Sequence, residues 1–356
     1  MEQSDILFER RGTAGLVTLN RPHALNAVTH DMVRALAQKL DEWEADPAVT
    51  RVLITASGGR AFSAGGDLRA LYDLGCAGQY EEALGFFRDE YALNAGIKGL
   101  RKPYVALIDG IVMGGGAGVS VHGSHRVAGD RFVFAMPEVG IGFFPDIGAT
   151  WFLPRLPGEL GTYCALTGER LATADAVAAG VATHRVASAK FPELIAALCG
   201  AAPADALLAA FSEPIEQGPL RALRATIDRL FQGERVEEIV ARLDDEARRN
   251  GTQSRFAAAT AALMRTKSPT SLKIALAQVR RGGMLDFGDC MRTEYRIVSR
   301  VMRGHDIYEG IRSVIVNKGK APQWQPATLE EVTAAEVERY FAPLPRELDL
   351  PQRATP

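Results

Sequence analysis

An α/β fold is expected of this chain on three observations. Short apolar or β-branched runs alternate with helix-spaced patterns, glycine-rich loops stand where those runs end, and the chain beyond about Pro203 reads as almost wholly helical. Leu16-Val17-Thr18-Leu19 opens the series as a short strand, closed by the turn residues Asn20-Arg21-Pro22. Thr29 caps a helix to about Ala45, whose positions Val33, Leu36, Ala37 and Leu40 fall at i, i+3, i+4 and i+7 and so share one buried face. Arg51 to Thr55 is a second strand. It enters the loop Gly58-Gly59-Arg60-Ala61-Phe62-Ser63-Ala64-Gly65-Gly66-Asp67, which leads into a helical pattern. Val105 to Ile108 is a third strand, and its loop runs from Asp109-Gly110 through Met113-Gly114-Gly115-Gly116 into a helix of small residues. Arg131 to Ala135 supplies a fourth strand, and Ala182 to Val186 a fifth after the helix Thr173–Ala179.

The helical remainder has clear starts, such as Ser268-Pro269, a capping serine followed by proline in the first turn. A boundary is expected near residues 200–215. It divides a core over residues 1–205 from a helical region over 206–345, with a tail over 346–356. The stretch Leu344 to Pro356 is rich in proline and charge and is expected to fray.

Composition narrows the class of function. Hydrophobic residues are 47% and charged residues 24%, the balance of a globular protein, and 41 basic against 43 acidic residues leave a net charge of −2. No basic face for nucleic acid is implied, so an anionic ligand must be held by local groups. No apolar run reaches the ~18–20 residues that cross a bilayer. Met1 to Arg11 holds three acidic residues and no hydrophobic signal core, which points to the cytoplasm. Cys76, Cys164, Cys199 and Cys290 are scattered without metal-type pairing and read as free thiols.

Two strand–loop–helix units therefore place glycines where a strand ends and a helix begins. Glycine serves where φ is positive or where a ligand must approach the main chain. Amides at such helix starts point outward, and two of them, one per loop, can grip a single carbonyl oxygen. An oxyanion hole of this kind is typically worth ~3–4 kcal/mol per donor. The plainer alternative is that the glycines only make tight turns. The dinucleotide fingerprint G-x-G-x-x-G is not completed by Gly114 to Val119, the P-loop lysine is absent, and Gly118 to Gly123 is one residue too long for a serine nucleophile elbow.

Phe132 to Ile147 is a 16-residue stretch whose only charges are Glu138 and Asp146. Acids set among apolar residues are desolvated, and each raises the other's pKa, so the pair can share a proton near neutral pH. The alternative is that each caps a helix or pairs with an arginine, Arg155 being a candidate. His122 and His125, three apart, read as packed or hydrogen-bonded side chains before a metal pair, and no metal is expected.

At these residues the sequence becomes recognisable. Asn20-Arg21-Pro22, Phe62 to Asp67 and Asp109 to Gly116 closely resemble the crotonase superfamily of coenzyme A enzymes. Phe86-Phe87-Arg88-Asp89-Glu90-Tyr91, Gly118 to Gly123, Met136-Pro137-Glu138 and Phe144-Pro145-Asp146-Ile147-Gly148 are similar to one branch, the 3-hydroxyisobutyryl-coenzyme A hydrolases of valine breakdown. Ser268 to Lys273, Met302 to Asp306, Glu309 to Arg312 and Pro322-Gln323-Trp324 carry the likeness to about residue 340.

The resemblance implies a spiral of ββα turns with an α-helical C-terminal region, and an acyl-coenzyme A substrate with no separate cofactor. It implies oxyanion amides at Ala64, or a close neighbour in that loop, and at Gly115. Glu138 would be the principal catalytic carboxylate, with Asp146 in its proton network. Glu90, Gly65, Gly66, Asp67, Gly114 and Gly118 would bind substrate, and Arg60 and Arg69 are candidates for the phosphates. Trimers are common in the superfamily, so a homo-oligomer is an expectation. Hydratases of the superfamily carry a second glutamate where this chain has Gly118, which disfavours addition of water to a double bond. The rival expectations are an enoyl- or dienoyl-coenzyme A isomerase, whose glutamate and aspartate also stand eight positions apart, and a non-catalytic binder that would have no need of these acids.

Overall fold

A computed structural model describes residues 4–249 and 251–350. Among them ten strands form two sheets. The larger has the order β1 (Ile6–Arg11), β2 (Ala14–Leu19), β3 (Arg51–Ala56), β5 (Tyr104–Ile108), β7 (His125–Ala128), β10 (His184–Arg185); the smaller runs β4 (Ala61–Ser63), β6 (Ile111–Met113), β8 (Val133–Ala135), β9 (Leu171–Ala172). β1 with β2 and β8 with β9 are antiparallel, and the other pairings are parallel.

The chain alternates between the sheets: β3 then β4, β5 then β6, β7 then β8. Each passage adds one strand to either sheet before the chain turns away, which is the expected ββα spiral. The larger sheet is buried on both faces, as a parallel sheet is expected to be. Val52, Ile54 and Ala106 face the main core, while Leu53, Val105 and Leu107 face a second cluster covered by the helices Phe191–Leu198 and Ala204–Phe211. Odd and even residues of one strand thus serve different layers.

The expected helices form with the expected caps. α1 (His30–Ala45) begins at Thr29, whose hydroxyl accepts from Met32 N–H, and the helix Pro269–Gly282 begins at Ser268, which accepts from Ser271 N–H. Its helical start is a proline with no N–H to waste. The expected boundary at residue 205 falls within the helix Ala204–Phe211, and one continuous hydrophobic cluster takes in residues from the spiral and from the later helices.

The expected fraying of residues 344–350 does not hold. Glu347 pairs with Arg296 at 2.9 Å and Leu348 is buried, so charge and apolar contact tie this stretch to the helix Phe287–Val301. Residues 351–356 lie outside the described residues.

One contact joins the helical region to the spiral with no clearance. The helix Asp306–Ile311 crosses the 3-10 turn Glu138–Ile141, and a Cβ on Gly310 would collide with the carbonyl group of Ile141. Backbone cannot yield as a side-chain tip can. Gly310→Ala is expected to cost about 1–3 kcal/mol, lowering the thermal unfolding midpoint by several degrees; an unchanged midpoint in calorimetry would contradict this packing.

Candidate active site

β4, β6 and β8 are neighbours in one parallel sheet, so their C-terminal ends lie side by side. Ser63 pairs with Val112, and Met113 with Ala135. The loops that follow, Ala64–Asp67, Gly114–Gly115 and Met136–Glu138, are therefore brought together by register, in the place where open parallel sheets bind ligands. Gly65 has φ +125° and Gly114 φ +46°, and a Cβ on Gly114 would stand 3.2 Å from the Gly65 Cα. Only glycine allows both the torsion and the approach.

A cavity of about 360 Å³ opens at this point. Ala64, Gly65, Gly66, Glu90, Gly114, Gly115, Glu138 and Asp146 line it, with apolar walls from Leu68, Leu71, Phe86, Phe87 and Phe143. The two acids set in the apolar stretch thus face one cavity, with Glu90 as a third. The helical region closes the far side through Met302, Ile307, Ile311 and Val314, and Lys267 is the basic residue among the described lining.

The amides sort differently from expectation. Ala64 N–H donates to Leu25 C=O at 3.0 Å, so Ala64 is not a free donor. The bridge between Val28 and Gly66 uses Val28 N–H to Gly65 C=O and Asp67 N–H to Val28 C=O, which leaves Gly66 N–H out of that ladder. A Cβ on Gly115 would lie 3.4 Å from the Gly66 nitrogen. The neighbouring amides of the two loops are those of Gly66 and Gly115. α4, which begins at Gly115, has only four residues, Gly115–Gly118, so individual amides rather than a helix dipole face the cavity.

Two expected binding residues are elsewhere. Asp67 caps α2 (Leu68–Cys76), accepting from Ala70 N–H, and pairs with Arg21 at 3.0 Å; its carboxylate is structural. Gly118 is walled in: a Cβ there would meet Asn94 Nδ2 at 2.9 Å and Ile147 Cβ at 3.1 Å. Neither residue lines the cavity. Arg60 and Arg69 do not line it either, and Arg69 pairs with Asp73. Arg155 bonds the carbonyls of Trp151, Gly282 and Leu285 and takes no part with either acid. His122 reaches the Ile147 carbonyl at 2.5 Å while His125 pairs with Asp205, so the two histidines serve different contacts.

The acids are strongly perturbed. Burial pushes Glu138 well above the ordinary carboxylate range, and the neighbouring Asp146 charge adds to this. Glu90 is pushed up in the same way, by burial and then by Asp146 and Glu294. Asp146 rises to about 7 through burial, offset by the hydrogen bond that Tyr91 Oη donates to Oδ2 at 2.9 Å. Glu138 Oε2 and Glu90 Oε1 are buried and have no hydrogen-bond partner within the protein. Polar atoms so placed are costly unless a ligand or water meets them.

α3 (Tyr80–Lys98) delivers three of these groups from one face. Phe87, Glu90 and Tyr91 stand at i, i+3 and i+4, so wall, acid and Asp146 partner come from a single helical turn. Sequence reasoning gave Tyr91 no role and missed Glu294 altogether. Glu294 is wholly buried and accepts from Gly148 N–H at 2.7 Å and Thr150 N–H at 2.8 Å. Its signal was an acid in the apolar stripe Cys290, Met291, Val298, Val301 of the helix Phe287–Val301. Between Asp146 and Thr150 the backbone is strained: Ile147 has φ +55° and Gly148 φ +86°. A β-branched residue in that region costs about 1–3 kcal/mol, held only where surroundings over-determine it.

These shifts predict how stability follows pH. A carboxyl raised to about 7 at Asp146, or to about 8 at Glu294 by burial and then by Asp146, holds a proton that the unfolded chain releases near pH 4. The folded state binds more protons in between, so this contribution is full below about pH 4 and is lost as pH rises to 7–8. Thermal midpoints of the free protein should decline over that window and decline less steeply in Asp146→Asn; an identical slope would refute the assignment.

Comparison with known proteins agrees with this geometry. A family model described as enoyl-CoA hydratase/isomerase matches residues 14–341. The chain is 43% identical over 351 residues to the mitochondrial 3-hydroxyisobutyryl-CoA hydrolase of Gallus gallus, covering 96% of this chain and 89% of that protein. It is 41% identical over 350 residues to the human protein of the same name, with the same shares covered. The names place those relatives in mitochondria and lend no support to the cytoplasmic expectation. Among the described residues no helix is long and apolar enough to cross a membrane. A crystal structure described as a carnitinyl-CoA dehydratase from Mycobacterium thermoresistibile superposes with a TM-score of 0.92 at 44% identity, covering 98% of this chain and 100% of that one. One described as an enoyl-CoA hydratase from Rhodobacter sphaeroides gives 0.90 at 39% identity, with the same coverage. The chain belongs to the enoyl-CoA hydratase/isomerase family, with the crotonase fold.

Proposed function

We propose that the chain hydrolyses the thioester of a short 3-hydroxyacyl-CoA, foremost 3-hydroxyisobutyryl-CoA, to the hydroxy acid and free coenzyme A. The relatives just named, which align with almost the whole chain, support this activity. The observation that carries it against hydration is steric. The position of the hydratases' second glutamate is Gly118, and Asn94 and Ile147 leave no room there for a side chain. One carboxylate then works at the acyl carbon, and water adds to the thioester.

In this reading the thioester oxygen lies between the Gly66 and Gly115 amides, which hold the negative charge of the tetrahedral intermediate. Glu138 faces the acyl carbon. As general base it takes a proton from water while the oxygen bonds to carbon; the C–S bond then breaks, and the proton passes from Glu138 to the leaving thiolate. As nucleophile it instead forms an anhydride that water opens. A single turnover in heavy-oxygen water separates the routes: label found in Glu138 requires the anhydride. Glu90, pushed upward by burial and lining the cavity, hydrogen-bonds the acyl hydroxyl. Lys267, its Nζ 3.4 Å from a Cβ placed on Gly140, presents a positive charge to the coenzyme's phosphates.

A thiol-release assay on hydroxyacyl-CoA thioesters, run beside absorbance assays on enoyl- and dienoyl-CoA, tests the reading. Release of thiol without change at the double bond is the expected result, and the reverse would assign an isomerase or hydratase. Glu138→Gln should lower kcat by about 10²–10⁴-fold while coenzyme A still binds in calorimetry. Near-normal turnover would remove Glu138 from the mechanism.

A further inference from the structure

We propose that Glu294, on the helix Phe287–Val301, is a positioning residue for the reaction: together with Gln278 it clamps the strained turn Pro145–Gly148 that presents Asp146 to the cavity. This rests on the reading of Asp146 as part of the catalytic site, and it assigns that site a dependence on the C-terminal helices.

Four buried side chains tie the segment from Pro145 to Thr150. Gln278 Nε2 donates to the Pro145 carbonyl and, at 3.3 Å, to Thr150 Oγ1. Tyr91 Oη donates to Asp146 Oδ2 at 2.9 Å. His122 Nε2 meets the Ile147 carbonyl at 2.5 Å. Glu294 accepts twice, with Oε2 on Gly148 N–H and Oε1 on Thr150 N–H. A carboxyl group with both oxygens on backbone amides fixes direction as well as distance.

The turn needs that restraint. Ile147 and Gly148 both have positive φ, and a chain freed there would relax toward ordinary torsions, swinging Asp146 off its line into the cavity. The residues facing Glu294 argue against a role in stability alone. Asp146, Glu90, Tyr91 and Cys290 lie around it with no cation among them, and burial and then Asp146 raise it to about 8, so it holds its proton at neutral pH. Both its oxygens go to amides of the segment that carries Asp146.

Glu294→Gln keeps the shape but sets an NH2 group against one of the two amides. It is expected to lower kcat about 10- to 100-fold with KM changed far less, as small misplacements of reacting groups do. Because Glu294 is raised to about 8, the exchange removes no charge on the acidic side, and the acidic limb of the kcat profile should stay in place. Gln278→Met, which loosens the Pro145 carbonyl, should likewise lower kcat with KM changed far less; it also serves if Glu294→Gln folds poorly. Hydrogen exchange of the peptide spanning Ile147–Thr150 should speed up in both variants. Wild-type kcat in Glu294→Gln, or a loss confined to KM, would overturn the proposal, as would unchanged exchange over that peptide. If the wild-type chain released no thiol from any thioester while exchange still quickened in the variants, the functional reading would fail and the clamp would stand.

Discussion

Gly65 and Gly114 approach so closely that a single Cβ on Gly114 would stand 3.2 Å from the Gly65 Cα, and the rest of the site is arranged around that approach. Because β4 and β6 are parallel neighbours, their ends emerge together, and removing both side chains lets the two backbones share one wall of the cavity. The Gly66 and Gly115 amides come to the same place as a consequence. β8, next in the sheet, then delivers Glu138 beside them, its Oε1 3.7 Å from a Cβ on Gly114. Three strand ends thus supply the two amides and the acid, and no loop has to travel to complete them. Chemistry set on strand ends inherits the rigidity of the sheet.

Electrostatics follows from burial more than from pairing. Glu90, Glu138, Asp146 and Glu294 share one desolvated region, and each is raised from its ordinary range. Isolated charges in such surroundings are expensive, and the cheaper state is a protonated carboxyl. The group therefore exchanges protons closer to neutral pH than ordinary carboxylates do. That suits a reaction in which a proton leaves water and later reaches a thiolate. It also explains why the apolar walls are so complete. Water inside would lower the acids toward ordinary values and weaken every hydrogen bond offered to the substrate.

The spiral was legible because parallel strands buried on both faces read as dense apolar runs, as at Arg51–Ala56 and Tyr104–Ile108. β8 was read within the run Arg131–Ala135, whereas the three-residue strands β4 and β6 were not legible, since their pairing lies in register with distant segments rather than in local pattern. Glu138 and Asp146 stood out by contrast with their neighbours, and contrast survives without any knowledge of the fold. Which amide of the glycine loop is free does not: Ala64 and Gly66 differ only in that Leu25, nearly forty positions upstream, accepts from Ala64. Asp67 looked like a ligand and is a cap because helix α2 begins one residue later. Gly118 looked like a binding glycine and is a packing glycine because Asn94 lies against it.

Glu294 was the hardest to see, and the reason bears on how the chain is organised. Its partners, Gly148 and Thr150, stand more than 140 positions earlier in sequence. The helices after residue 203 read in sequence as an appended lobe, yet Lys267, Met302, Ile307, Ile311 and Val314 line the cavity, and Gln278 and Glu294 hold the turn behind Asp146. The spiral alone would keep its strand ends, its paired amides and Glu138. It would lack one wall of the cavity and two of the restraints on a strained turn, so Asp146 would have no fixed place from which to act. The sheet sets one half of the site and the C-terminal helices set the other, and the backbone contact of Gly310 on Ile141 fixes the spacing between the halves.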